Sequence, residues 1–501
     1  MKNIVTELSF YEKIKNINKK IKISQTEEYY KKVINITDKK SLENIKDVLK
    51  NTKEISISYR YYGKYYFALT ILIDEIIYNF SDDIFVSKTN LTKFIINYVL
   101  KVDKIYLYNL KHFIKPLLDI FSEYELRSLN NRIYDVQLAD YTINLNKDNH
   151  LFDNYNKYSK KVKVILQKVH GNQAAHYYVH RHILQKVMIF ESVFLYYYGT
   201  IFRKIQDKLE QEMLQKRMQL FSFTLSDIEQ ENLIVDINKF GKWIEDENKV
   251  NAFFKKLLKY CSEQKTNLIS ASYKHNNTKT GRLTFNNKNK INMMSMPKTK
   301  IRELIIPEND KFLSMDINGM EVFYFIKNYT NILENIEIKS DFDIYKYIDN
   351  QLKLNVNREI IKNTIIKLLY GAGSYKSEEV MIKQIIIENY PELDAKNRID
   401  KEIPNYIQTK FKRIIHINKN YNKLLNNFIQ SESNDLMINN ITLLWYNMKK
   451  LKLKSKIKIL IHDQIIIDCI EEEISIIKTL LNKTIKDLPF TLVESNTFYL
   501  D

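Results

Sequence analysis

The alternation of hydrophobic and polar positions predicts a helix within the stretch NREIIKNTIIKLLYGAG. Arg358, Lys362, Ile366 and Tyr370 recur every four residues there, so all four share one face of the helix. Gly371 follows them and is expected to end the helix. Two cations one turn apart suit a polyphosphate that runs along the helix, and the aromatic ring further along suits a base pair. The alternative interpretation is an amphipathic helix with a solvated basic edge.

Two apolar runs, KFLSMDINGMEVFY and KIKILIHDQIIIDC, predict buried strands that each carry a carboxylate. The first run begins at Lys311 and the second at Lys456. On neighbouring strands, Asp316 and Asp463 would lie side by side. Two carboxylates that hold two Mg²⁺ ions about 4 Å apart form the arrangement that drives phosphoryl transfer.

The N-terminal part shows helix and strand patterns with less recognisable chemistry. Residues 1–50 are highly charged and are predicted to be helical. The stretch EISISYRYYGKYYFALTI, which begins at Glu54, predicts two strands joined by a turn at Gly63. A strand that leads into a helix follows at Ile105, and a charged helix over residues 206–219 is expected between domains.

Length and charge narrow the class of protein. The 501 residues allow about two to four domains, and the net charge of +18 favours a polyanionic partner, nucleic acid before membrane. Two cysteines, Cys261 and Cys469, cannot staple so long a chain, which favours a reducing compartment. No signal peptide, membrane span or membrane partner is expected, because long apolar runs are lacking. The expected location is intracellular, in a bacterial or host-cell cytoplasm or in an AT-rich organelle.

The helix and the two apolar runs together resemble motifs A, B and C of the family A DNA polymerases, the bacterial polymerase I type. The motif B pattern R-x3-K-x7-Y-G fits the helix, the fixed D and E of motif A fit the first run, and the HD of motif C fits the second. Three motifs in this order are a more specific signal than any one of them. The matching residues are Asp316, Glu321, Arg358, Lys362, Tyr370, Gly371, His462 and Asp463.

The resemblance implies an α/β (mixed α+β) fold. It consists of a right-hand polymerase domain with palm, fingers and a reduced thumb, preceded by an RNase H-like exonuclease-type domain. The domain boundary is predicted near residue 205, which gives domains 1–205 and 206–501. The predicted subdomains of the second are the reduced thumb at 236–280, the palm at 281–325 and 426–501, and the fingers at 326–425.

Further segments extend the resemblance. The stretch YKHNNTKTGRL matches Y-x4-T-x-T-G-R-L, NMMSMP aligns with N-L-Q-N-I-P, and DIY at Asp343 aligns with D-I-H. Gln430 and Asp435 keep the family's Q-x4-D. By this resemblance, the residues expected to bind DNA are Thr280, Arg282, Asn292, Arg302, Asn426, Gln430 and His462. The residues expected to bind the dNTP are Glu321, Tyr345, Arg358, Lys362, Ile366 and Tyr370.

The reaction implied by the resemblance is attack of a primer 3′-hydroxyl on the α-phosphate of a dNTP. The resemblance assigns Asp316, Ile317 and Asp463 to the metal site. The catalytic residues it implies are the two aspartates and Lys362. The implied cofactor is a pair of Mg²⁺ ions, with Mn²⁺ as the alternative. Glu321 is expected to exclude a 2′-hydroxyl and to contact the tyrosine of motif B. The implied partners are primer–template DNA, dNTPs and a processivity or replisome protein.

The polymerase motifs depart from the family pattern at three places. Gln464 replaces the glutamate that ends motif C, Ile366 replaces an aromatic residue, and DINGME replaces DYSQIE in motif A. The two metal-holding aspartates remain, which favours an active enzyme. The alternatives are a non-catalytic primer–template binding protein, a related polymerase that copies RNA or bypasses lesions, and a basic nuclease.

The N-terminal part resembles the proofreading 3′–5′ exonuclease domain of the same polymerases without its acids. Ser58 and Arg60 stand where the first acidic pair belongs, and Phe113 replaces an aspartate after the NLK pattern. His182, four residues after Tyr178, stands in the place of the last acid. Two-metal hydrolysis needs these clustered acids, so the sequence predicts that the domain does not proofread.

Two other patterns carry alternative interpretations. His176 and His180 have the spacing of a zinc site on a helix, but no accompanying glutamate or cysteine is near, and a basic structural helix is favoured. Alternating lysines precede motif C and are expected to line one side of a strand, toward water or DNA, or to form a solvated edge. These lysines are Lys452, Lys454, Lys456 and Lys458.

Overall fold

The structure is a computed structural model. It describes residues 30–62, 65–80, 88–144, 181–236, 238–239, 252–285, 291–296, 300–371, 376–394, 406–416, 421–486 and 488–498. The chain divides into two compact units, 1–223 and 224–501. Among the described residues, no helix is both long and apolar enough to cross a lipid bilayer.

The N-terminal unit combines a sheet with helices. Its described strands are β1 (Lys32–Asn35), β2 (Glu54–Tyr62), β3 (Tyr65–Ile73), β4 (Ile76–Phe80), β5 (Lys104–Leu107) and β6 (Ile133–Asp135). Its described helices are α1 (Lys39–Lys50), α2 (Lys88–Asn97), α3 (Leu110–Ile114), α4 (Glu123–Arg132), α5 (Val136–Asn144), α6 (Arg181–Lys208) and α7 (Glu212–Ile228). The prediction of a helical N-terminus is wrong at β1 and right at α1, while residues 1–29 lie outside the described residues.

The described strands of this unit form one mixed sheet in the order β1-β4-β3-β2-β5-β6. β2 pairs antiparallel with β3, as the predicted hairpin requires, and parallel with β5. Ile71 and Leu72 point to opposite faces of the sheet, and both are at most 4% exposed. Both faces are therefore covered at β3, which explains its continuous apolar sequence.

Helix α6 belongs to the core of the N-terminal unit. Phe194, Tyr198 and Phe202 recur every four residues along α6 and cluster with Tyr106 and Tyr134 of the sheet. The helix expected over residues 206–219 is in fact the end of α6 and the start of α7, with a break between them.

Buried glutamines attach the first half of α7 to the same unit. Gln215 Nε2 donates to the Asp135 carbonyl and Gln219 Nε2 to the Ile133 carbonyl, both at 2.9 Å. The division between the units consequently falls within α7, after Phe223, later in the chain than residue 205. The domain limits predicted within the second unit stay predictions.

The C-terminal unit contains several small sheets and longer helices. Its described strands are β7 (Asn232–Val235), β8 (Leu268–Ser270), β9 (Tyr273–Lys274), β10 (Thr284–Phe285), β11 (Ile305–Ile306), β12 (Lys311–Ile317), β13 (Tyr406–Gln408), β14 (Ile414–His416), β15 (Lys456–Ile461), β16 (Gln464–Cys469) and β17 (Phe490–Ser495). Its described helices are α8 (Ala252–Gln264), α9 (Met320–Tyr329), α10 (Ile344–Leu352), α11 (Arg358–Tyr370), α12 (Ser377–Asn389), α13 (Tyr421–Lys450) and α14 (Ile474–Thr484).

The two apolar runs predicted as strands are neighbours in one antiparallel sheet, of order β15-β16-β12-β17. β12 lies between β16 and β17, and its residues from Phe312 to Met315 are buried. Helix α8 covers part of this sheet, because Phe254 and Leu257 cluster with Phe312 and Ile459. Helix α8, which lies in the short segment assigned to the thumb, therefore packs on the central sheet.

Lys458 departs from the expectation that the lysines before motif C face water or DNA, whereas Lys452 and Lys454 are exposed. The register between β15 and β16 shifts at this residue, and its side chain is 1% exposed. Its Nζ lies 2.7 Å from Glu308 and 3.1 Å from Glu231, and Asp468 is 3.9 Å away. These carboxylates raise the pKa of Lys458 against the opposing effect of burial. The strand bulge turns this lysine into a buried ion-pair centre.

The helix of the central motif forms as its periodicity predicts. The Asn357 side chain caps α11 by accepting from the Glu359 N–H at 2.8 Å, and Gly371 ends the helix in the left-handed region with φ 66°. Ile361 and Leu368 are buried against the neighbouring helices, so the face with Arg358 and its partners is left partly exposed.

Candidate active site

The candidate site begins where three strand ends meet. Asp316, near the end of β12, pairs directly with Gln464 at the start of β16. Asp463 precedes Gln464 in the two-residue turn of the β15–β16 hairpin. His462 is the other residue of that turn, is exposed, and has φ 55°. Asp316 is thus paired with the residue that follows Asp463, an arrangement compatible with the predicted juxtaposition of the two aspartates.

The Gln464 side chain makes a hydrogen bond to a residue of β12. Its Nε2 donates to Ser314 Oγ at 2.8 Å, and Ser314 is buried. Ser314 lies two residues before Asp316, so both side chains emerge on the same face of the sheet. Ile317, also assigned to the metal site, is 2% exposed and pairs with Phe490 of β17. The amide that replaces the family's glutamate has thus become part of the sheet's own hydrogen bonding.

The donor set suits magnesium. Mg²⁺ is usually held by one or two carboxylates with the remaining positions filled by water and substrate phosphates. Asp316 and Asp463 supply two partly exposed carboxylates at one edge of the sheet. No group of three or more acidic, histidine or cysteine side chains that could hold a metal occurs among the described residues. A site completed by substrate, rather than a closed protein cage, is what these residues fit.

The two cations of α11 lie on a shared face and already have acidic neighbours. Arg358 Nε donates to Asp343 Oδ2 at 2.5 Å, and Lys362 Nζ lies 3.4 Å from Glu359 Oε1. About a third of each cationic side chain is exposed, at 37% and 36%. Ile366, further along this face, is partly exposed as well. An anionic ligand can therefore reach both cations, in competition with Asp343 for the first.

Tyr345 lies deeper than its assignment to the triphosphate suggests. It is 2% exposed, and the Arg358 guanidinium lies 5.2 Å from the centre of its ring. Burial raises the pKa of the Tyr345 phenol well above its usual range, and Asp463 contributes to the same effect. The ring rests on Gly319, where a Cβ would be 3.1 Å from the phenol oxygen. The Tyr345 ring thus packs against the Arg358 guanidinium, near Asp343 and Asp463.

Glu321 connects two other predicted functional residues. One carboxylate oxygen accepts from Arg282 Nη2 and the other accepts from the Tyr370 hydroxyl. The expected contact between Glu321 and Tyr370 is therefore present. Burial raises the pKa of Tyr370 well above its usual range, so its hydroxyl remains a donor. The Glu321 side chain is 20% exposed and the Arg282 side chain 41%, which leaves this group open on one side.

The residues assigned to DNA occupy different environments. Arg302 is 5% exposed, donates to the Met296 carbonyl at 3.2 Å, and lies 4.9 Å from the centre of the Phe498 ring. Burial also lowers its pKa. This location does not support the expected DNA contact, because the guanidinium is used inside the unit. Thr280 is likewise buried, at 6%.

The remaining DNA-assigned side chains are more accessible. Asn292 is partly exposed and its Oδ1 accepts from the Met294 N–H at 3.1 Å, which caps a short 3₁₀ turn. Asn426 and Gln430 lie one turn apart on α13 and are partly exposed. Asn426 Oδ1 is buried and has no hydrogen-bond partner among the described residues.

Sequence reasoning missed two buried charges beside this site, Arg413 and Glu432. Both are fully buried, and Glu432 accepts from the Tyr329 hydroxyl and from the Lys410 backbone N–H. For Arg413 the signal is a cation next to apolar residues, in KRIIHI, whereas Glu432 lies among polar residues, in IQSESND, and carries no such signal. An isolated charge in such a setting indicates a buried partner, but the sequence does not say which.

In the N-terminal unit, residues at the positions where the exonuclease resemblance expects acids form an ion pair and a hydrogen bond with Glu191. Arg60 forms an ion pair with Glu191 at 2.7 Å, and the Ser58 hydroxyl donates to the same carboxylate. Phe113 is fully buried. Tyr178, His176 and His180 lie outside the described residues, and so does the side chain of His182.

Comparison with known proteins assigns the chain to a family. Residues 199–493, more than half of the 501 residues, match the model of DNA polymerase family A. The POL domain of Pol1 from M. smegmatis, in complex with DNA primer-template and dNTP, has a similar fold, with a TM-score of 0.70 and 13% identity over 94% of this chain and 99% of that chain. No characterised protein sequence is significantly similar to this one. The predicted mixed α/β polymerase fold is confirmed, and the chain belongs to DNA polymerase family A.

Proposed function

We propose that this protein is a template-directed DNA polymerase that adds dNTPs to a primer 3′ end. The observation that carries the proposal is the β12–β16 register, which brings Asp316 beside Gln464 and the Asp463 turn. The two-residue turn and the end of β12 each present one carboxylate, and a pair of carboxylates suits metal-dependent phosphoryl transfer. Arg358 and Lys362 supply cations for a triphosphate on a separate helix.

The chain's own residues would bind and orient the nucleotide. Arg358 would exchange Asp343 for a phosphate oxygen, and Lys362 would contact the same triphosphate as a mobile point charge. Glu321, fixed by Arg282 and Tyr370, would lie against the sugar. When bound at the two aspartates, Mg²⁺ ions would lower the pKa of the primer 3′-hydroxyl and neutralise charge on the pyrophosphate.

We also propose that the N-terminal unit is a degenerate exonuclease-type domain without proofreading activity. The order β4-β3-β2-β5-β6, in which β3 alone runs antiparallel to its neighbours, supports an RNase H-like relationship. Glu191 forms an ion pair with Arg60 and accepts from the Ser58 hydroxyl, so its carboxylate is already engaged and is poorly placed to hold a metal. Two-metal hydrolysis has little basis at this position.

Primer extension tests the polymerase proposal directly. Asp316→Asn and Asp463→Asn should each lower the rate by at least about a hundredfold, because each removes a metal-binding charge while keeping side-chain shape. The matched control is Asp310→Asn, which makes the same charge change at the exposed opposite end of β12. DNA binding, measured by fluorescence anisotropy, should be nearly unchanged in all three variants.

The wild type separates the alternatives. Binding of primer–template DNA without any synthesis in Mg²⁺ or Mn²⁺ would refute the proposal and favour a non-catalytic binding protein. Extension on DNA, RNA and damaged templates side by side would define the template. Substantial synthesis by either aspartate variant would show that the metal-binding carboxylates have been misassigned.

A further inference from the structure

A fully buried ion pair lies next to the candidate site. Arg413, just before β14, donates from Nε to Asp435 Oδ2 at 2.9 Å and from Nη2 to Asp435 Oδ1 at 2.5 Å. Both side chains are 0% exposed. The Thr409 hydroxyl accepts from the Arg413 backbone N–H at 3.0 Å, which fixes the hairpin turn from which the arginine projects. A bidentate pair of this kind has one allowed geometry, so the guanidinium plane is fixed.

The guanidinium of Arg413 lies close to a glycine. A Cβ on Gly281 would lie 2.8 Å from Arg413 Nη2, 2.9 Å from Arg413 Cζ and 2.9 Å from Asn434 Nδ2. Gly281 also has φ 78°, which disfavours any other residue. The backbone of the turn at Gly281 therefore packs directly on the Arg413 side chain.

The same turn carries Arg282. The Thr278 hydroxyl donates to the Arg282 carbonyl at 2.9 Å, and the Gly281 N–H donates to the Thr278 carbonyl at 3.4 Å. From this turn, Arg282 reaches Glu321, whose other oxygen accepts from Tyr370. One continuous set of contacts thus runs from the buried pair to the group proposed to lie against the sugar.

We propose that Arg413, held by Asp435, is a positioning residue for nucleotide selection. It fixes the turn at Gly281 and thereby the place from which Arg282 holds Glu321. This inference rests on the proposed function, because nucleotide selection has meaning only in a polymerase. It adds to that function a positioning residue that is none of the proposed nucleotide-binding or metal-binding residues.

The choice of arginine supports this role over simple stabilisation. A buried ion pair is a weak source of stability, since burying both charges offsets most of their attraction. The planar guanidinium of an arginine can bind a carboxylate along one edge while a glycine backbone packs on the guanidinium. A lysine in the same place would keep the charge near Asp435 but would leave the surface under Gly281 unfilled.

Two variants disturb the contact from opposite sides. Arg413→Lys keeps the charge beside Asp435 and removes the planar surface. Gly281→Ala keeps both members of the ion pair, but its added Cβ would crowd the Arg413 guanidinium. Lys458→Met is the matched control, because it removes a 1% exposed lysine that pairs with Glu231 and Glu308 elsewhere in the same unit. All are made in the full chain, and folding is checked by circular dichroism and thermal melting.

Two measurements are compared. One is the ratio of rNTP to dNTP incorporation, taken from kcat/KM for single-nucleotide addition. The other is hydrogen–deuterium exchange of residues 278–283, with residues 464–469 as an internal reference. We expect both site variants to raise the incorporation ratio by about tenfold, the effect of losing one charge-assisted hydrogen bond. Exchange in 278–283 should also rise by about tenfold while the reference strand keeps its protection.

The control decides between positioning and general instability. Lys458→Met should lower the melting temperature and leave both measurements unchanged. Arg413→Lys and Gly281→Ala proteins that fold but keep the wild-type ratio and exchange would overturn the proposal, and so would an equal change in the control. Wild-type protein without synthesis would refute the proposed function, and the exchange data would then separately decide whether Arg413 fixes the turn.

Discussion

Replacing Glu321 by alanine removes the carboxylate that accepts from both Arg282 and Tyr370. The Arg282 side chain is 41% exposed, so its ion pair should contribute no more than about 1 kcal/mol. The hydrogen bond from the buried Tyr370 phenol to a charged acceptor should contribute about 1.5 kcal/mol. The free energy of unfolding is therefore expected to fall by about 2 kcal/mol.

The effect on nucleotide choice should be larger than this loss of stability suggests. If Glu321 lies against the sugar, its removal opens space for a 2′-hydroxyl, and apolar or steric exclusion of one hydroxyl is worth about a hundredfold. The rNTP to dNTP ratio should then rise by between about ten- and a hundredfold. Burial holds the pKa of Tyr370 far above neutrality, so the difference between wild type and variant should not change between pH 7 and 9.

Two conservative variants separate size from charge. Glu321→Gln keeps the volume and one acceptor oxygen, so it should preserve most of the discrimination. Tyr370→Phe keeps the ring and removes only the hydroxyl, so it should lower stability by about 1 kcal/mol with a smaller change in ratio. The assay is single-nucleotide addition with each nucleotide in turn, together with thermal unfolding. An unchanged ratio in Glu321→Ala would show that another residue selects the sugar.

Three further predictions concern other parts of the chain. Ile366→Tyr should improve the use of dideoxynucleotides in primer extension, because the added hydroxyl can replace the missing 3′-hydroxyl; a wild type that already uses them as well as dNTPs would contradict the assignment of this helix face. A labelled mismatched primer incubated with Mg²⁺ and no dNTP should stay full length, and its shortening by pure protein would show that the N-terminal unit has nuclease activity. Product length under single-encounter conditions with a DNA trap should collapse above about 0.1 M salt, where screening reaches about 10 Å, because the short span between Asp236 and Thr280 leaves DNA retention to general charge. Long, salt-insensitive products would refute that reasoning.

The sequence was informative where function depends on local periodicity. Helix α11 begins at Arg358 and ends at Tyr370 because a side-chain cap and a left-handed glycine flank a four-residue repeat, and all of these are visible in one short stretch. Asp316 and Asp463 could be placed together because each ends an apolar run, and apolar runs of that length pair within a sheet. Short-range pattern was sufficient for both results.

The sequence was misleading where a charge has a distant partner. Arg302 and Lys458 look like surface cations, but each is buried in the C-terminal unit, the first beside Phe498 and the second among three carboxylates. Arg413 was overlooked for the same reason, since its partner Asp435 is remote in the chain. Pairing of this kind depends on tertiary structure, and a one-residue strand bulge is enough to decide which way a lysine points.

Two departures from the family pattern that are distant in sequence are in contact in the structure. Tyrosine at 345 replaces a histidine, and glycine at 319 stands in motif A, 26 positions earlier, where the family has a larger side chain. The Tyr345 ring occupies the volume above Gly319, and a Cβ there would lie 3.1 Å from both its hydroxyl and one ring carbon. A side chain at 319 would therefore crowd the Tyr345 ring, and φ 60° also favours glycine there. The buried ring lies 5.2 Å from the Arg358 guanidinium. If Arg358 exchanges Asp343 for a phosphate as proposed, the aromatic face would keep the guanidinium oriented during the exchange, and Tyr345 would then support triphosphate binding through Arg358.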